Sequence, residues 1–309
     1  MLARLLRWEL AIELLALLLA MHYAGVGLPY VPVAVFGGLF LIYGLLTLAT
    51  FWIAGVGPVR AVSRLGLARA SALFFREWLA FFSLFVIVQP FPFLFRGNGK
   101  PPKRHAAGTI LLVHGYKCNA ELWTWLKPRL RDEGYELVAI NLEPAYAPLD
   151  KLVNQLHRCT ETIAEQEEAN KIVLIAHSMG GLVARACIER YGEGNIERII
   201  TIGTPHHGTR LAYYGLGKNA RDMEPQSEWL KRLPSQWDKA IPLISIWSRD
   251  DNFVSPQSNA VLAGAINIEV LAEGHLTTVF SAEILEMLKK AISQELPGDP
   301  RHGFQEIGE

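Results

Sequence analysis

"IVLIAHSMGGLVARA", Ile172–Ala186, is the stretch whose reading decides the fold. Ile172 to Ile175 is short, apolar and mostly β-branched, which reads as a strand buried on both faces. From Leu182 the apolar positions Leu182, Val183, Ala186 and Cys187 recur at helical spacing. Only Ala176 to Gly181 separate the two patterns, so the chain must turn sharply through Ser178. The positions two before and two after the serine are Ala176 and Gly180, and a crowded turn needs such small residues. A turn of this kind holds the serine exposed at a strand end. It also aims the first amides of the next helix at one point beside it. An ordinary N-cap serine on a helix is the reading that this stretch alone leaves open.

The text around it alternates. Strands are expected at Thr109–Val113, Glu136–Asn141, Lys171–Ala176, Arg198–Ile202, Pro242–Trp247 and Asn267–Leu271. Helices are expected near 119–133, 149–168, 180–191 and 279–294. Short apolar strands alternating with helices predict an α/β fold, a mostly parallel sheet of six strands covered on both faces.

An activated serine needs a base, an acid to orient it and donors for an oxyanion. In an elbow-bearing α/β sheet these follow in the order serine, acid, histidine at later strand ends. Of nine histidines only His275 and His302 follow the last strand, and His302 lies in the tail, so the base is His275. "SRDDNFVSP" offers Asp250 and Asp251 as the acid. Asp251 is preferred, because the residues after it suit a loop that turns back under the histidine; Asp250 reads as a turn carboxylate beside Arg249. "TILLVHGYKCN" leaves the first strand at His114-Gly115-Tyr116, which places the amides of Tyr116 and Met179 as oxyanion donors. His114 reads as packing under that loop.

"LLVHGY", "AHSMGG", "GTPHHGT", "DDNFV" and "GHL", in this order, resemble bacterial lipases and esterases of the α/β-hydrolase fold, including membrane-anchored triacylglycerol-lipase-like hydrolases. The resemblance covers roughly Gly108 to Leu296. It implies nucleophile, acid and base at Ser178, Asp251 and His275, an oxyanion hole at Tyr116 and Met179, and no metal or organic cofactor. His206 and His207 have no second ligand cluster to make a metal site with. The strand-free segment 209–241 resembles the cap that shapes a lipase acyl pocket. Tyr213, Tyr214 and Trp229 within it, with Trp123 and Trp125 after the oxyanion loop, are candidate pocket residues. The expected chemistry is ester hydrolysis by acyl transfer through Ser178. A thioesterase, amidase or acyltransferase uses the same triad. A membrane scaffold with a dead hydrolase domain is the remaining alternative, and no triad member is missing to support it.

The first hundred residues differ in kind. From Leu14 to Val59 there is no Asp, Glu, Lys or Arg, length enough for two membrane spans, read near 8–27 and 31–55. A third apolar run, Trp78–Phe95, crosses the bilayer or lies at its surface. The apolar text continues far past a signal-peptide core. Residues 1–96 therefore read as a helical membrane anchor, 97–105 as a Gly/Pro linker, 106–296 as the hydrolase domain and 297–309 as a disordered tail. Arg4 and Arg7 favour a cytoplasmic start and Arg60, Arg64 and Arg69 a cytoplasmic loop, and a two-span anchor with an interfacial third helix satisfies every basic cluster. The length of the third uncharged run leans instead toward three spans, a bacterial inner-membrane protein with a periplasmic hydrolase domain. Since the triad lies wholly beyond the linker, the sequence alone predicts that a chain starting near Gly97 is soluble and active. Thirty basic against thirty acidic residues give no net charge, and no basic run is interleaved with aromatics, so nucleic acid is not an expected partner. Cys118, Cys159 and Cys187 lack metal or framework spacing, and a bridge between two of them is left open.

Overall fold

A computed structural model describes residues 1–95, 108–131, 134–166 and 171–293. The linker 97–105 and the tail 297–309, with His302, lie outside the described residues.

Six strands form one sheet, all parallel: β1 (Thr109–Val113), β2 (Glu136–Ile140), β3 (Ile172–His177), β4 (Ile196–Ile202), β5 (Leu243–Ser248) and β6 (Ile266–Val270), in the order β2-β1-β3-β4-β5-β6. The strands are apolar on both faces because both faces are covered. Leu111, Val113, Leu174 and Ala176 pack toward α6 (Leu149–Gln166) and α7 (Met179–Tyr191). Their neighbours Ile110, Leu112, Val173 and Ile175 pack toward α5 (Leu126–Leu130) and α9 (Ala282–Ile292). This two-residue alternation explains why the sequence shows continuous apolar runs. The expected helix 119–133 is instead a 3₁₀ turn, Ala120–Trp123, followed by the short α5. Asn119 caps that turn, its side chain accepting from the Glu121 amide at 3.1 Å. All three cysteines are free thiols.

Register aligns the carboxyl ends. Val113 pairs with Ala176, His177 with Ile202, and Ile202 with Ile246. The loops after β1, β3, β4, β5 and β6 therefore emerge along one edge of the sheet, where ligands bind in open α/β sheets.

The N-terminal helices sit on that edge. They are α1 (Leu2–Tyr23), α2 (Val31–Ile53), α3 (Pro58–Leu65) and α4 (Leu67–Phe82), which runs on as a π-helical turn, Ser83–Val88. By length and composition, Leu28–Ile53 and Leu67–Val88 are long and apolar enough to cross a membrane. The first carries no charge, and the third apolar run begins earlier than its text suggests, so α4 includes Arg69, Arg76 and Glu77. Arg76 and Glu77 face the hydrolase loops rather than a separate anchor's surface. Arg76 pairs with Glu273 at 2.8 Å, and Glu77 accepts from the amides of Leu276 and Thr277 at 2.9 Å each. At the end of α2, Asn252 donates to Thr50 Oγ1 at 2.7 Å, and Ser255 and Gln257 donate to the Ala54 carbonyl. Gln89, fully buried, accepts from the Asn119 amide at 2.9 Å. Lys117 and Glu9 pair at 2.8 Å.

Candidate active site

Ser178 has φ 55° and ψ −126°, a conformation that a non-glycine residue holds only at a cost of about 1–3 kcal/mol. What enforces it is the strand-to-helix turn. The Ser178 amide donates to the Ile202 carbonyl at 2.9 Å, and Thr204 Oγ1 donates to the Ser178 carbonyl at 2.9 Å. Gly180 is required by the close approach of β1: a Cβ there would lie 2.6 Å from the Val113 carbonyl oxygen. Ala176, fully buried, fills the other flank.

His275 follows β6 and is buried, with Nδ1 2.8 Å from Asp251 Oδ2. The other oxygen of Asp251 accepts from the amides of Phe253 at 2.7 Å and Val254 at 2.8 Å, so the loop after β5 turns around the carboxylate as the sequence suggests. The next residue, Asn252, accepts the His275 amide at 3.0 Å. Gly203, at φ 56°, lies beneath the pair. A side chain there would come within 3.1 Å of Asp251 Oδ2 and 3.2 Å of His275 Nδ1. Phe253 lies across the imidazole, ring centroids 5.0 Å apart.

Asp250 is placed differently from the turn carboxylate expected beside Arg249. It is buried, pairs with Arg64 of α3 and accepts the Ala272 amide at 3.2 Å, whereas Arg249 pairs with Glu269. Its partner lies on a segment that no sequence pattern brings to the site. Asp251→Asn is therefore expected to cost ester turnover far more than thermal stability, and Asp250→Asn the reverse. Paired melting curves and kcat/KM values check both, and the opposite ranking would move the acid to Asp250.

Burial pushes the His275 imidazolium down, but the charge of Asp251, its hydrogen bond to Nδ1 and the charge of Glu77 outweigh it and hold the group above its usual range. A base must be neutral to accept the serine proton. Activity is thus expected to fall on the acid side, with an apparent pKa above the ordinary imidazole value of about 6.5. A kcat/KM–pH profile whose acid limb lies below that value would contradict the assignment. His114 and His177 are held below the usual range by burial, His114 to about 4. His114 packs under the loop after β1: Nε2 accepts the Leu142 amide at 2.9 Å, and Nδ1 lies 2.9 Å from the Gly115 carbonyl.

One cavity of about 190 Å³ is lined by Ser178, His275, Gly115, Tyr116 and Lys117 from the hydrolase loops and by Glu9, Glu13, Tyr43, Leu46, Phe81 and Phe85 from the N-terminal helices. A second, of about 230 Å³ and mostly apolar, shares Tyr116, Ser178 and Phe253 and runs between Thr50, Ile53, Leu211, Ala212, Tyr214 and Met223. Met179 is buried at the start of α7 beside the nucleophile, and Tyr116 closes the loop after β1, its hydroxyl donating to the Leu216 carbonyl at 2.8 Å. The aromatic candidates divide. Tyr214 lines the apolar cavity. Trp123 is fully buried in the core on the α5 and α9 side, and Trp125 packs at its margin under Arg129. Trp229 is in the opposite core, donating to Asp150 at 3.2 Å, and Tyr213 is exposed. The segment 209–241, which carries the short α8 (Lys218–Asp222), is itself packed, with Asn219, Asp222 and Trp237 buried, and its exposed large apolar side chains are Tyr213, Tyr214 and Leu216. No group of three or more potential metal ligands occurs among the described residues. His206 bonds instead with Thr201, Ser245 and Arg185.

The surfaces around the site to which no sequence pattern pointed come from residues 1–95. Glu77 gave one signal, a carboxylate at the margin of an apolar run, and such residues are kept for a partner.

Residues 138–262 match a PGAP1-like alpha/beta domain. The chain is 37% identical over 92 residues to a GPI inositol-deacylase of Candida albicans, covering 29% of this chain and 19% of that protein. It is 30% identical over 100 residues to triacylglycerol lipase 2 of Saccharomyces cerevisiae, covering 30% of each. The chain spans half or less of the length of the curated relatives it matches. Aspergillus fumigatus lipase B superposes with a TM-score of 0.58 at 18% identity, covering 67% of this chain and 57% of the other. The fold is that of an α/β-hydrolase, and the sequence is similar to lipases and esterases.

Proposed function

We propose that the protein is a membrane-associated serine hydrolase of carboxylic esters with an apolar acyl chain. The observation that carries this reading is a strained Ser178 opening on the same cavity as His275, whose Nδ1 is held by Asp251. His275 Nε2 takes the Ser178 proton as Oγ attacks the ester carbonyl. The amides of Tyr116 and Met179 receive the oxyanion, His275 returns the proton to the leaving alcohol, and water then releases the acid by the same route. Asp251 fixes the imidazole tautomer and stabilises its charged form. Covalent capture of Ser178 by a fluorophosphonate, blocked by Ser178→Ala, tests the assignment directly. Labelling that persists in Ser178→Ala would place the nucleophile elsewhere.

The apolar cavity beside Ser178 supports an acyl chain as its occupant. Each methylene it buries is worth about 0.8 kcal/mol, a factor of roughly four in kcat/KM. Leu211→Trp fills that cavity from its wall and is expected to flatten the rise of kcat/KM with chain length, leaving short esters unaffected. An unchanged chain-length series would remove this cavity from the acyl site. Membrane association rests on the two apolar helices and on exposed Trp8, Leu28, Phe36, Leu45 and Trp52 around them. It predicts retention with membranes after a high-salt or carbonate wash. Release of intact full-length protein into the wash would oppose it.

A further inference from the structure

We infer that Glu77, carried by the N-terminal helix α4, is a positioning residue for the base His275, so that the apolar helical region completes the catalytic machinery as well as anchoring it. The inference rests on the triad reading above.

Glu77 is a carboxylate with no exposed surface. Burying such a group is costly unless its oxygens are hydrogen-bonded. Here they are bonded to the loop that bears His275. Oε1 accepts the Leu276 amide at 2.9 Å, while Oε2 accepts the Thr277 amide at 2.9 Å and lies 3.1 Å from the Leu276 amide. These are the first two amides after the base. On the other side of the base, the His275 amide is taken by Asn252, and Arg76 of α4 pairs with Glu273. Residues 273–277 are thus clamped between α4 and the loop that carries Asp251. A packing role alone is served by an apolar side chain at this helix position, as at its neighbours Leu73, Ala80 and Leu84. A carboxylate is needed only where backbone donors must be held at a fixed place and a positive charge on the nearby imidazole is to be favoured. The titratable groups facing His275 are Asp251, Glu77 and His177; of these, Asp251 and Glu77 support its protonated form and His177 opposes charge beside it.

Two consequences separate positioning from packing. Glu77→Gln turns an NH₂ group toward backbone donors and removes the charge, so the loop shifts and the imidazolium is less favoured. A misplacement of the order of 1 Å at a reacting group costs about 10²-fold in rate. Glu77→Asp keeps the charge but stops one methylene short of the amides.

The experiment uses full-length protein in detergent with a short soluble ester, measuring kcat, KM, the pH profile and thermal unfolding of wild type, Glu77→Gln, Glu77→Asp and Ser178→Ala. Expected for Glu77→Gln is a fall in kcat of about 10²-fold, KM within about twofold, and an acid limb moved to lower pH. Glu77→Asp is expected to lose part of kcat with its acid limb near wild type. Wild-type kcat and acid limb in Glu77→Gln overturn the inference. So does an equal loss in Glu77→Gln and Glu77→Asp with both limbs unmoved, which marks a packing role. If Glu77→Gln does not fold, Glu77→Asp decides: lowered kcat at unchanged KM supports the inference, and wild-type kcat overturns it. An active Ser178→Ala would refute the triad reading itself, whereas an inactive Ser178→Ala beside a fully active Glu77→Gln refutes this inference alone.

Discussion

Ser178→Ala is expected to lower kcat/KM for every ester by about four orders of magnitude or more, and His275→Ala to do nearly the same. The two losses should not add, because nucleophile and base act as one unit and the double variant removes the same step once. Folding should survive in both. Alanine at 178 removes only an oxygen, and the backbone bonds that enforce the turn, from the Ser178 amide to Ile202 and from Thr204 to the Ser178 carbonyl, do not involve that oxygen. The residual rate of Ser178→Ala then measures what Tyr116, Met179 and the cavity walls achieve without a nucleophile. Assay by titration of released acid, with melting curves alongside, separates chemistry from stability. A Ser178→Ala variant within tenfold of wild type would end the acyl-transfer mechanism.

The site was legible where local constraints act. The turn at Ser178 compresses strand, small residues and helix into a few positions, which marks the turn itself, while an N-cap serine stays open until the later strand ends are read with it. Asp251 and His275 could be placed because a parallel sheet delivers successive strand ends to one edge, and chain order then orders the groups. The paired aspartates show the limit. Asp251 was separable from Asp250 only through the loop that follows it, while the burial of Asp250 depends on Arg64, nearly two hundred residues away. The tryptophans mislead for a related reason. Composition marks Trp123 and Trp229 as large and apolar, but which side of the sheet they cover is set by packing of α5 and α7, and both went to core. Most of all, an apolar run reads alike whether it faces lipid or a protein surface. Leu73, Leu84 and Ala80 are buried in protein, whereas Leu28, Phe36 and Trp52 are exposed, and only the polar exceptions Glu77 and Gln89 mark the side that docks.

That docking gives the second large expectation, and it reverses the one drawn from the sequence. A protein beginning near Gly97 keeps Ser178, Asp251 and His275, yet it should lose both stability and activity. Removing α4 leaves the amides of Leu276 and Thr277 without Glu77, and removing Gln89 leaves the buried Asn119 amide without its acceptor. Each unsatisfied buried donor costs about 1–3 kcal/mol unless water reaches it. Removing Arg64 leaves Asp250 without its counter-charge, and breaking such a pair from one side costs about 3–5 kcal/mol when the partner stays buried. Ala80 and Leu84 also leave the core that holds Leu276 and Val279. Solvent entering the vacated face will recover part of this, but the sum is still comparable with the whole stability of an ordinary domain, about 5–15 kcal/mol. The cavity around Ser178 meanwhile loses the wall formed by Tyr43, Leu46, Phe81 and Phe85. The expected result is a protein that aggregates, or that folds with short-ester turnover reduced by about 10²-fold or more because the His275 loop is no longer held. Short esters are the informative substrates, since they need no membrane and little acyl pocket. Full turnover of a short ester by a soluble, cooperatively melting 97–309 protein would show that the helices only anchor the enzyme. Partial rescue by adding the separately produced 1–96 segment in detergent would show the opposite, that the apolar helices and the α/β sheet form one catalytic unit joined by Glu77, Arg64 and Gln89.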